Sequence, residues 1–147
     1  MPRIKPLLPS EFPKEMRSAL AALRPSNARH PRMPTEDRPK ALNTLGTFAH
    51  HPELAQAYFT LNGHVLAATT LSERQRELIV MRVAALRQSS YEWYQHLFVA
   101  RDAGLTDEEI WDVGAITALF AMSNRLAHLV ALRPNPEFFL MGRLPRS

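Results

Sequence analysis

Three helix starts in this chain are written in the same chemical form. Ser72 with Gln75, Ser89 with Glu92 and Thr106 with Glu109 each put a hydroxyl at a helix N-cap and a longer acceptor three residues later. That reciprocal arrangement satisfies two backbone donors that a helix would otherwise leave orphaned. No convincing run of alternating apolar and polar residues occurs in the chain, so strands have no pattern to build on. The expectation is an all-α fold, a single-domain bundle of about six to eight helices.

The remaining helices follow from proline, glycine and capping signals. "SEFPKEMRSALAALRP" reads as a first helix capped by Ser10 and stopped before Pro25. Pro25, Pro31, Pro34 and Pro39 then make an extended arm, because proline lacks a donor and restricts the residue before it. "KALNTLGTFAH" suggests a short helix, and Pro52 suits the first position of the next one. Gly104 is placed to end the helix that Ser89 opens. The helix opened by Thr106 runs towards Pro134, with Gly114 as a possible bend. Three segments result: an N-terminal helix and proline-rich arm over 1–40, a helical core over 41–133, and a tail over 134–147 that carries Phe138, Phe139 and Leu140.

Composition excludes several classes of function. There is no cysteine among the 147 residues, so disulfides, thiolate metal sites and thiol chemistry are absent from this chain. Net charge is +4, but the basic residues are interleaved with acids, as in "SERQREL", and the most basic stretch has no aromatic platform. No nucleic-acid partner is expected. No apolar run is long enough to span a bilayer, and "MPRIKPLLPSEFP" carries no apolar leader core, so a cytoplasmic protein without a membrane partner is the expectation. His50, His51, His64 and His96 are numerous enough to bind zinc or iron with a glutamate, but their spacing fits no metal motif. No metal is expected.

The chemistry concentrates in "SSYEWYQHLFVARDAGL". At about 100° per residue, Ser89, Glu92, Trp93, His96, Val99, Ala100 and Ala103 share one helix face, with Tyr91, Gln95, Arg101 and Asp102 opposite. His96 thus lies within an apolar stripe, one turn after Glu92. In the preceding helix Glu77 has Val80, Met81 and Ala84 as its face neighbours, and "LIVMRVAAL" is apolar almost all round, as in a buried helix. A carboxylate there is costly unless paired or protonated, and its pKa should rise. A short connection makes the two helices antiparallel neighbours and would bring Glu77 towards His96. Structural roles compete with functional ones: Glu92 as the far half of a capping box, His96 as a satisfied core histidine, Glu77 with Arg82 as an ion pair, Tyr91 and Trp93 as packing residues.

Residues 71–113, "LSERQRELIVMRVAALRQSSYEWYQHLFVARDAGLTDEEIWDV", resemble the carboxymuconolactone decarboxylase-like proteins of the alkylhydroperoxidase D-like superfamily. The likeness extends more weakly to "LGTFAHHPELAQAYFTLNGHVL" and "FAMSNRLAHLVAL". In the peroxidase branch a glutamate is followed at +12 and +15 by a Cys-x-x-Cys pair and at +19 by histidine. Counted from Glu77, those places hold Ser89, Glu92 and His96. Both thiols are missing, so a dithiol peroxidase reaction has no nucleophile here. The decarboxylase branch is nearer, since it carries Glu-x-x-x-His where Glu92 and His96 stand.

The resemblance implies a helical subunit that assembles into a homo-oligomer, trimer or hexamer. It also implies a lyase acting on a small carboxylated lactone or keto acid by decarboxylation or proton transfer, as in aromatic compound catabolism. A conjugated lactone carbonyl can itself take up the electron pair, so no cofactor is expected. His96, Glu77 and Glu92 are the expected catalytic residues, with whichever glutamate is desolvated as a proton donor. Arg82 is the expected carboxylate anchor, with Arg74 or an arginine of the arm as substitutes. Tyr91, Trp93 and Ser89 are expected beside the substrate. The rival is a non-catalytic oligomeric binding protein of the same fold.

Overall fold

A computed structural model describes residues 2–31 and 41–135. Among them are a 3-10 turn at Pro9–Glu11 and six α-helices, with no strand: α1 Met16–Ala22, α2 Leu42–Phe48, α3 Pro52–Ala67, α4 Glu73–Arg87, α5 Ser90–Asp102 and α6 Asp107–Leu129. The later part of the proline-rich arm and the aromatic tail at Phe138 and Phe139 lie outside the described residues.

Local chemistry sets most helix ends. Ser72 and Thr106 close reciprocal capping boxes on α4 and α6. Pro52 opens α3, and Gly104 ends α5 at φ +85°, a conformation that costs a residue without a Cβ little. Ser10 does not start a helix. Pro13 forces Phe12 into an extended conformation (φ −63°, ψ 130°), so the helix begins afresh at Met16. Gly114 leaves α6 unbroken.

The helices form two packed groups. In the first, α1 lies on α3 over Met16, Ala19, Ala49, Ala55 and Phe59. Gly63 fixes how closely they approach, since a Cβ at that position would overlap the Ala22 carbonyl oxygen. In the second, α4 packs on α5 and α6 over Met81, Ala100, Leu105 and Ile110. Only one side of α4 is buried within the chain: Glu77, Met81 and Ala84 face inward, while Ile79, Val83 and Leu86 are exposed. The long α6 likewise exposes Trp111 (77%), Leu119, Phe120 and Met122. No helix among the described residues is long and apolar enough to cross a membrane.

Candidate active site

The start of α4 and the middle of α5 meet where the two packed groups join. Glu77 sits on the inward side of α4 and is fully buried, with 0% exposure. Its carboxylate is nevertheless satisfied at both oxygens. Oε2 lies 2.8 Å from His96 Nδ1, and Oε1 accepts from Arg76 Nε at 2.8 Å. Arg76 is 7% exposed and also donates through Nη1 to the Leu66 carbonyl at the end of α3. A guanidinium therefore joins the first helical group to the buried acid of the second.

Burial pushes the Glu77 carboxyl upward. Hydrogen bonds from His96 and Arg76, reinforced by their charges, outweigh it and hold the pKa below the usual glutamate range. The expected rise for this acid is thus reversed, because pairing wins over desolvation. An ionised carboxylate only accepts, so the ring nitrogen facing Glu77 carries the proton and His96 is fixed with Nδ1–H towards Oε2. The other nitrogen, Nε2, has Glu92 Oε2 3.7 Å away.

Glu92 is free to stand there because its capping box is only half formed. Ser89 Oγ accepts from the Glu92 N–H, while the Ser89 N–H is taken by the Ala84 carbonyl. The Glu92 side chain is 52% exposed, against 20% for His96. Of the two glutamates, the buried one is therefore the carboxylate paired with the ring, its pKa held low.

A cavity of about 910 Å³ opens beside these groups. Arg76, Glu77, His96 and Val99 form one side; Leu20, Leu23, Arg24 and His30 form the other. Residues 25–31 of the arm complete that second wall beside α1, since the N–H groups of Arg29 and His30 both bond the Ala67 carbonyl. The arm thus covers a site in its own chain.

The expected binding residues fall elsewhere. Arg82 is exposed, about 140° around α4 from Glu77 at five residues' separation, and Arg76 takes the place beside the acid that Arg82 was expected to fill. Arg74 pairs with Glu109. Tyr91 is exposed and its hydroxyl bonds Thr44 Oγ1 on α2. Trp93 packs against the second core and lines a separate apolar hollow with Leu97, Ile110 and Trp111. Ser89 caps α5. None of Arg82, Tyr91, Trp93 or Ser89 lines the cavity beside His96: Arg82 and Tyr91 are turned to other faces, Ser89 sits at the N-cap about two turns before the ring, and Trp93 packs on the second core. Arg76, Arg24 and His30 are the additions. Arg76 carries no signal in the sequence beyond its place next to Glu77, since its burial rests on the Leu66 carbonyl of another helix.

Among the described residues no group of three or more His, Asp or Glu side chains converges to hold an ion. His50 bonds the Lys5 carbonyl and His51 caps α3.

No curated protein and no solved structure matches the chain. The model of the carboxymuconolactone decarboxylase family matches residues 52–132, more than half of the 147 residues, and takes in both Glu77 and His96. The chain belongs to the carboxymuconolactone decarboxylase family.

Proposed function

We propose that this chain is a cofactor-independent enzyme that decarboxylates, or transfers a proton on, a small lactone or keto acid through the Glu77–His96 pair. The observation that carries this reading is the 2.8 Å contact between a fully buried, ionised Glu77 and a histidine that lines a cavity. Such an acid is costly to keep for stability alone, whereas it suits a proton-transferring imidazole that must be held in one orientation.

In the proposed step, the bond between the substrate carboxylate and its adjacent carbon breaks. CO2 leaves, and the electron pair moves into the conjugated carbonyl as an enolate. Protonated His96 gives its Nε2 proton to carbon, and the neutral ring regains one from water. Glu77 accepts the Nδ1–H throughout. Arg24 and Arg76 are the guanidinium groups of the cavity lining and suit the substrate anion. Glu92, near Nε2 and partly open to water, is placed to pass protons between the ring and solvent.

Purified chain incubated with a series of γ-lactone carboxylates and β-keto acids should release CO2, with the product resolved by NMR. Ligand-induced melting shifts without any product would favour the rival, a binding protein of the same fold.

We also propose a homo-oligomer, trimer or hexamer, in which copies cover the exposed apolar faces of α4 and α6. Light scattering should then give about three or six times 16.7 kDa. A monomer at micromolar concentration would contradict this.

A further inference from the structure

The cavity contains a second imidazole that the proposed reaction does not use. His30 Nε2 is buried and has no hydrogen-bond partner among the described residues. Buried polar atoms are nearly always satisfied, and leaving one unmet is costly. The nitrogen does not owe its isolation to a loose segment. The His30 N–H bonds the Ala67 carbonyl at 3.3 Å, and the His30 carbonyl accepts from Arg24 Nη2 at 3.3 Å. Pro31 further restricts the His30 backbone. A held backbone thus carries an unsatisfied nitrogen on a side chain that lines the cavity together with His96, Arg76 and Arg24.

We infer that His30 is a ligand-contacting residue: its Nε2 hydrogen-bonds an oxygen function of the bound molecule, at a point separate from the one served by His96. The cavity therefore takes a small acid with at least two oxygen-bearing groups. Arginine meets the anionic one, and His30 meets a second oxygen, in a carbonyl, hydroxyl or ring ester. An imidazole suits that task because it donates in one tautomer and accepts in the other. Selectivity follows, since a simple monocarboxylate such as acetate leaves His30 unmet. The inference rests on the cavity being the substrate site of the proposed enzyme.

The test uses the full chain, with 5-oxotetrahydrofuran-2-carboxylate, acetoacetate and acetate as ligands. Calorimetry measures affinity, and NMR of 15N-histidine-labelled protein follows both rings. The expected result has three parts. The lactone acid shifts the His30 and His96 signals together, acetate leaves His30 unmoved, and His30→Phe weakens lactone-acid binding about tenfold or more. His30→Gln, which retains an amide donor and acceptor, should recover part of the loss. If His30→Phe does not fold, the wild-type His30 shift decides. Lactone acid that moves His96 alone and binds His30→Phe within twofold of wild type would overturn the role of His30, its nitrogen then holding only water, and leave the catalytic reading standing. Ligands that move neither ring would overturn both.

Discussion

His96→Ala should lower turnover at least about 10³-fold, because it removes the group proposed to move the proton, an effect usually worth 10²–10⁴. The loss should fall on kcat more than on KM, since the arginines proposed to meet the substrate anion remain. Stability should change less than activity. His96 is one of two partners of the Glu77 carboxylate, and Arg76 still holds the other oxygen. Losing one hydrogen bond to a buried acid costs about 1–3 kcal/mol. His96→Gln gives the cleaner comparison, because an amide N–H can still reach Glu77 while offering no titratable nitrogen. Progress curves of CO2 release, with urea melts of the same preparations, check both parts. Wild-type rates in His96→Gln would remove the ring from the reaction.

Glu77→Gln should damage both properties at once. Replacing a buried anion leaves Arg76 with a neutral acceptor, and breaking such a pair costs about 3 kcal/mol. For a chain of this size, that lowers the midpoint of melting by roughly 10 °C. Activity should fall by about 10²–10⁴, since an amide no longer enforces the Nδ1–H tautomer of His96. The stability difference should depend on pH in one direction. Glu77 has a depressed folded pKa, so its contribution is complete above the ordinary glutamate range. It is lost as pH falls from that range through the lower folded value. Wild type should therefore exceed Glu77→Gln fully near neutrality and approach it in acid. A gap that stays constant from pH 7 to pH 3 would contradict an ionised Glu77.

The positions of Glu77 and His96 were legible because both depend on short-range rules. Capping at Ser72, the N-cap at Ser89 and the stop at Gly104 set the helices, and a short connection turns α5 back along α4. Helical periodicity then aims the acid and the ring inward. The partner of Glu77 was harder to read. In "SERQREL" Arg76 looks like one more surface charge, and its burial depends on the carbonyl of Leu66 at the end of another helix. The state of the acid was misjudged for the same reason, because desolvation can be inferred from neighbours in sequence whereas two compensating donors cannot. His30 was out of reach altogether. Its place in the cavity follows from the arm docking on the Ala67 carbonyl, a tertiary contact with no local pattern. Glu92 shows the opposite limit: its capping motif is sound, but the Ala84 carbonyl takes the Ser89 N–H that the carboxylate would have accepted.

The pairing of Glu77 with His96 can be observed without any substrate. NMR of 15N-histidine-labelled protein near neutral pH should show His96 carrying a proton on Nδ1, slowly exchanging and shifted far downfield by its carboxylate acceptor. Glu77→Gln should abolish that signal. A neutral His96 protonated at Nε2, exchanging freely with water and unchanged by Glu77→Gln, would mean that the two side chains do not form the pair on which the proposed chemistry depends.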